Sequence, residues 1–390
     1  MDTLIRSILD GSLATYRHEL LVSNLQGINV HSQHGRADDN VPVFHARLMK
    51  HLLSRAGLSS NYTEIPGKGH VFDGMMATDS LKQFYTAELE RNHTRLTSSL
   101  NFTLTVARPA DTGPMHGVQV HSLKTPGRLG KLSVSLTSGE HHNKCNIRTT
   151  NIRKFSVSWH TLQCSGLQVD GHNVHISVGG PTSIFVQDSE RRWTSFGTKD
   201  SVSINRYGGM DNILRTEARF CILTDDASRK TALQISRNLC QYYYADTEIL
   251  PLGEDILPQC GNRIRVFQRP SLDLTRPARP GDSTDSGQPS LSIMDFERNT
   301  YTYTPEDGLG AIYLEDTGSG NLNLNIWGSN AKGLEIAARL VPVLTGVGQP
   351  DFVVADKVIL EQGVGGVLAM GFFMGHTPGD LTASTNSYFT

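Results

Sequence analysis

The sequence has no excess of charge of either sign: 36 lysines and arginines face 38 aspartates and glutamates. A near-neutral chain carries no electrostatic footprint for nucleic acid or for an anionic membrane surface. Long apolar runs are missing as well. The most apolar stretch, Gly363 to Gly375, is too short to span a bilayer. No charged-then-apolar signal pattern opens the chain, so the sequence read alone places it in the cytoplasm if Met1 is a true start. Cysteine is scarce and odd in number: Cys145, Cys164, Cys221, Cys240 and Cys260. None forms a C-x-x-C pair, which removes zinc ribbons and thioredoxin-like redox motifs and leaves room for one or two disulfides. Sequons at Asn61, Asn92 and Asn101 are no more than chance allows.

What is present is length and local pattern. A chain of 390 residues is long enough for two or three domains with cores of their own. The stretch His31 to Gly74 is the most informative: HSQHGRADDNVPVFHARLMKHLLSRAGLSSNYTEIPGKGHVFDG. It reads as strand, acidic loop, helix, strand, histidine loop. Asn40 is a good N-cap and Pro42 suits a first helical turn. Phe44, Leu48, Met49, Leu52 and Leu53 recur at helical spacing, and Gly57 ends the helix. Tyr62 to Ile65 is a short strand, and Pro66-Gly67-Lys68-Gly69 then presents His70. A carboxylate after one strand and a histidine after the next is what a Ser-His-Asp hydrolase needs: the carboxylate orients the imidazole, which takes the proton of the serine.

The residues HGRADDNVP followed by GKGH and a helix resemble the C-terminal end of the prolyl oligopeptidase family, most closely its dipeptidyl peptidase branch. The resemblance covers roughly residues 1–95. It implies that Asp38 is the orienting acid of the HGxxDxxV motif and that His70 is the general base. It also implies that Asn40 helps hold a substrate carbonyl and that Val41 lines the pocket for the residue before the cut. In that family the helix before the Asp strand packs in the core; with the earlier strands missing, its stripe and the strand beside it would have little to pack against. The substrates it implies are short peptides, with secretion as the usual destination and no cofactor.

The nucleophile of that family is absent. Its serine sits in a G-x-S-x-G elbow, and no such pattern occurs here; only Ser7, Ser12, Ser23 and Ser32 precede Asp38. The oxyanion hole is built around the same elbow. Two readings follow. In the first, the chain is the C-terminal part of such a peptidase, starts in mid-domain and is inactive alone. In the second, it is a non-catalytic binding protein on a degenerate hydrolase scaffold, with the following β domain as its working part.

The fold expected is α/β plus β: a partial α/β-hydrolase domain over 1–96, an antiparallel sandwich-like domain over 97–212, and a small mixed α/β domain over 213–390. Residues 3–25 form one amphipathic helix, striped by Leu4, Ile5, Ile8, Leu9, Leu13, Tyr16 and Leu20. Thr78 or Asp79 caps another. Period-two runs then follow at Phe102–Val106, Leu132–Leu136, Phe155–Trp159 and Val174–Val178. Farther on, Arg219–Leu223 is a candidate strand, Ala227–Tyr243 a helix, 268–290 an exposed mobile loop, and Ala331–Leu344 a helix between strands. His141, His142, Cys145, His160, Cys164, His172 and His175 match no zinc spacing, so no metal is expected. Gly346-Val347-Gly348 and Gly363–Gly366 lack the strand-turn-helix context of a phosphate loop. Asp225-Asp226 and Glu315-Asp316 read as solvated turns.

Overall fold

A computed structural model describes residues 2–91, 101–137, 144–162, 164, 166–176, 180–198, 203–216, 218–253, 260–275, 288–304, 307–342, 346 and 348–390. The sequon at Asn92, His141, His142, Val178, Val347, residues 276–287 of the 268–290 segment, and residues 343 and 344 lie outside the described residues.

Helix α1 (Thr3–Leu13) is capped by Asp2, whose carboxylate accepts from the Leu4 amide at 2.7 Å. It is shorter than its apolar stripe suggests, and 3₁₀ turns carry the chain through residues 14–25. Ile5 and Ile8 are its buried hydrophobic residues. With the family's earlier strands missing, the stripe of this helix is expected to have little to cover it. It packs instead on strands Val367–Phe373 and Ala383–Phe389, at the other end of the sequence. Close backbone contact allows it. A Cβ on Gly11 would stand 2.3 Å from the Gly127 carbonyl oxygen, and one on Gly127 would strike Phe372.

Strand β1 (Val30–Gly35), helix α2 (Phe44–Arg55), strand β2 (Ser60–Ile65) and helix α3 (Asp79–Glu90) follow in the expected order. β1 and β2 pair in parallel, Val30 with Ser60 through Gly35 with Ile65, and form a sheet of two. Arg47 on α2 grips Glu64 on β2 with both guanidinium arms, at 2.6 and 2.8 Å, and holds the Glu64 carboxyl down to about 2. Parallel strands ordinarily have both faces covered. Here Leu53, Leu58 and Leu81 are the buried hydrophobic side chains between residues 26 and 91, whereas Phe44, Leu48, Val71, Tyr85 and Leu89 face solvent.

The second part is a β sandwich. One sheet runs Asn101–Val106, Gly130–Thr137, Lys144–Thr150, Gly166–Val169, His172–Asn173, and the other Trp193–Thr198, Thr182–Gln187, Ile152–Ser158, Val118–Leu123. Alternate residues of both sheets form the core between them, where Phe155 stacks at 4.9 Å on Phe185, its partner on the neighbouring strand of the same sheet. All pairings but one are antiparallel; Lys144–Thr150 and Gly166–Val169 run in parallel. Trp159 leaves the ladder and starts a one-turn helix to Leu162; of the strand expected over 174–178, the described residues Val174 to Ile176 are not in a strand, and a two-residue strand, His172–Asn173, precedes them.

The last part is larger than the expected small α/β unit. Eight strands lie in the order Thr247–Pro251, Arg219–Thr224, Cys260–Gln268, Leu322–Gly328, Gly310–Asp316, Phe352–Ala355, Val367–Phe373, Ala383–Phe389. The first four are parallel and the rest antiparallel. Helix Arg229–Tyr243 lays Ala232, Ile235 and Leu239 on this sheet, and helix Ala331–Ala338 adds Leu334 and Ala337. Within the expected loop, Ser271–Asp273 is a strand, paired with Ser290–Met294. Glu315 lies in a strand rather than a solvated turn. Disulfides join Cys145 to Cys164 and Cys221 to Cys260. Among the described residues no helix is long and apolar enough to cross a membrane.

Three parts of the chain meet at a buried ionic junction. Arg108 donates to Asp211 at 2.9 Å, to Asn212 at 2.9 Å and to the Gly208 carbonyl at 3.0 Å. Tyr16 donates to the same Asp211, and Thr15 to Asp111 at 2.7 Å. Asp351 accepts the Gly208 and Gly209 amides, each at 2.7 Å, and the Phe373 amide at 3.1 Å. Its burial pushes its pKa up to about 7 against those amides.

Candidate functional site

The site stands where β1 and β2 end. Arg36 donates its amide to Ile65 O at 2.9 Å and Ala37 donates to Lys68 O at 2.9 Å, which staples the acidic loop to the histidine loop. Gly35 is needed at the crossing: a Cβ there would stand 2.4 Å from Lys68 O and 2.3 Å from Gly69 O. Thr78 caps α3, and its hydroxyl donates to Gln33 Oε1 at 2.7 Å. The Gln33 amide in turn reaches Met75 O. The chain after His70 is thus tied back to β1.

That backbone brings Asp38 and His70 together. His70 Nδ1 lies 3.0 Å from Asp38 Oδ2. The Asp38 side chain is 3% exposed and that of His70 is 47% exposed. The other carboxylate oxygen, Oδ1, accepts the amides of Asn40 at 3.0 Å and Val41 at 2.9 Å. The Val41 amide holds the Asp38 carboxyl below the usual carboxylate range, helped by His70 and Asn40 and opposed by desolvation. An ionised Oδ2 accepts, so Nδ1 of His70 carries a ring proton, and the tautomer of the neutral ring that fits this contact has its lone pair on Nε2. Among the described residues nothing hydrogen-bonds to that Nε2.

Asn40 and Val41 act here through their amides. Asn40 does not cap α2: the helix starts at Phe44, and its preceding residue Val43 makes no side-chain cap. The Asp38 carboxylate takes the amides that an early helical turn would use, so the loop is pinned and the helix begins later.

The sequence reading missed His34. Its Nε2 lies 3.0 Å from Val41 O and 3.2 Å from Asp38 Oδ2, with the side chain 15% exposed. A carbonyl only accepts, so Nε2 of His34 carries the proton. One carboxylate oxygen therefore faces two imidazoles. The signal was the histidine before Gly35, which reads equally well as a strand end. Asp39 is exposed, and among the described residues the carboxylate that meets His70 is that of Asp38. Cys145 and Cys164 are spent in a disulfide, which removes both from the histidine-cysteine set.

No family model matches the chain. An uncharacterized secreted protein of Arthroderma benhamiae is 36% identical to it over 391 residues. The match covers 95% of this chain and 41% of that protein, so the chain spans about two-fifths of the length of the curated relative it matches.

Proposed function

We propose that this chain is the C-terminal part of a serine peptidase of the prolyl oligopeptidase type, acting on short peptides in the manner of the dipeptidyl peptidases. Asp38 orients His70, and His70 Nε2 is the general base for a serine that this chain does not contain. The observation that carries the reading is the 3.0 Å contact of His70 Nδ1 with a nearly buried carboxylate whose second oxygen is held by two amides. Such a carboxylate keeps the ring in one tautomer and stabilises the imidazolium that forms when the serine gives up its proton. Asn40 and Val41 stand beside the pair, where the resemblance puts substrate contacts. A secreted destination fits the relative's description and the two disulfides, which form in oxidising compartments.

The chain alone then performs no acyl transfer, because a base without a nucleophile has nothing to activate. The test is to join it to a hydrolase segment carrying a G-x-S-x-G elbow and its neighbouring strands. Hydrolysis of dipeptidyl nitroanilides, and labelling by a fluorophosphonate, should appear in the joined protein and vanish in its His70→Ala variant. Labelling of a serine in the unjoined chain would overturn the proposal. Absence of the elbow favours a second reading, a binding protein on a hydrolase scaffold; activity of the joined protein at the level of its His70→Ala variant would support it.

A further inference from the structure

One glycosylation sequon lies beside a cavity on the outer face of the β sandwich. Asn101 and Thr103 open strand Asn101–Val106, and Phe102 and Leu104 between them belong to the sandwich core, so alternation turns Asn101 and Thr103 outward. Asn101 is exposed. It lines a trough of about 510 Å³ together with Thr103, Ser133, Ser135, Asn146 and Arg148, with Gln26 at the margin. That volume falls within the ~300–1,000 Å³ of small-molecule sites. The register accounts for the polar lining. Asn101, Ser135 and Asn146 stand in one row across three strands, and Thr103, Ser133 and Arg148 stand in the next. Asn146 Oδ1 is buried and has no donor. Hydroxyls, amides and one guanidinium suit a polyhydroxyl ligand, which donates and accepts in turn.

The same strand is an edge. It ends its five-stranded sheet. The Thr105 amide donates to Asn24 Oδ1 at 2.7 Å, and the Thr105 carbonyl accepts from Asn24 Nδ2 at 2.8 Å. The turn Val22–Leu25 therefore closes that end of the edge. Alternation points the backbone groups of Thr103 and Asn101 to the same side, where among the described residues nothing bonds them. An open edge invites pairing with another chain, and proteins cover or blunt it.

We propose that Asn101 is an N-glycosylation site whose first sugars lie in this trough and shield the open half of the edge. The donor is a lipid-linked oligosaccharide pyrophosphate. The Asn101 amide nitrogen bonds to C1 of an N-acetylhexosamine and gives up one proton, while the bond from C1 to the pyrophosphate oxygen breaks and its electron pair leaves with the lipid pyrophosphate. The Ser133 and Ser135 hydroxyls, the Arg148 guanidinium and Asn146 Oδ1 then partner the sugar hydroxyls and acetamido group. Two disulfides and a secreted relative fit the compartment in which such attachment occurs. The site does not depend on the peptidase reading.

The test compares the full chain secreted from a eukaryotic cell behind a cleavable leader with the same chain made in a bacterial periplasm, where disulfides form without glycosylation. Mass mapping of the secreted chain should find an N-acetylhexosamine core on Asn101. Asn101→Gln keeps an amide and removes the acceptor. Among secreted samples this variant should melt below the parent and aggregate faster on heating; among periplasmic samples the two should behave alike. Arg148→Ala keeps the sequon. It should speed release of the Asn101 glycan from the folded chain by a glycosidase about tenfold, the effect of one lost hydrogen bond to a charged group. An unmodified Asn101 in the secreted chain, equal melting and aggregation of secreted parent and Asn101→Gln, a difference that persists between the periplasmic samples, or release unchanged by Arg148→Ala would each overturn the proposal.

Discussion

A Cβ placed on Gly35 would lie 2.3 Å from the carbonyl oxygen of Gly69. The residue that ends β1 and the residue before His70 are therefore in contact through bare backbone. The spacing of Asp38 and His70 is set there, one layer beneath the side chains.

The Gly35→Ala variant should accordingly lose the His70–Asp38 contact while keeping both residues. Crowding of this kind costs about 1–3 kcal/mol. Nuclear magnetic resonance of the histidine ring protons reads it: the Nδ1 proton of His70, held by a carboxylate in the parent, should broaden or move upfield in the variant. An unchanged resonance would mean that the loops adjust without separating.

In a joined, active protein, Asp38→Asn should lower kcat by about 10⁴, by analogy with the same change in a catalytic triad. Asp39→Asn should have little effect, since Asp38 alone meets the imidazole. His34→Gln should fall between them. It removes a ring from the same oxygen of Asp38 but leaves His70 in place, and its loss should appear in kcat and in the pH profile rather than in KM. A crippling Asp39 variant beside a mild Asp38 one would shift the assignment by one residue.

Asp351 supplies a pH dependence. Its folded pKa, pushed up to about 7 by complete burial, lies above the ordinary carboxylate value, so the folded state holds a proton that the unfolded state releases. The stability contributed by this proton is full at low pH. It is lost progressively as pH rises through the ordinary carboxylate range toward about 7, and the loss is complete above that. Melting temperature attributable to this group should therefore fall between mildly acidic and neutral pH. The Asp351→Asn variant, neutral throughout, should flatten that slope, although it gives up the hydrogen bond from the Phe373 amide.

Ile8 is fully buried on α1 and belongs to the core of the C-terminal sheet. Ile8→Ala should cost about 2–5 kcal/mol, the range for such core truncations. Hydrogen exchange should localise the loss to Val367–Phe373 and Ala383–Phe389, with little change in β1 and β2. Loss confined to residues 30–65 would restore α1 to the hydrolase-like sheet.

Local order was readable where neighbouring residues decide it. The run from β1 through α3 follows from a strand, a glycine turn and helical spacing, and Thr78 caps α3 as its type predicts. That Asp38 and His70 would stand together followed from the order of strand, acid, strand and histidine together with the family resemblance. Distant pairings were not. The eight-stranded sheet joins Thr247–Pro251 to Ala383–Phe389 through six other strands, and no period in the sequence encodes that order. Asn40 misled because a good capping residue is overruled when a carboxylate two positions earlier binds its amide. The amphipathic stripe of α1 was clear, but a stripe does not name its partner.

The packing of α1 on the final strand has a consequence for synthesis. The helix is translated well before its partner Ala383–Phe389, with about 370 residues made in between. At about 5–20 residues per second the wait is on the order of 20–80 s. Throughout it Ile5 and Ile8 have no native surface to cover them, and a helix this short is marginal in water by itself. α1 thus settles long after it is made, and a nascent chain released early would display it to any chaperone or protease within reach.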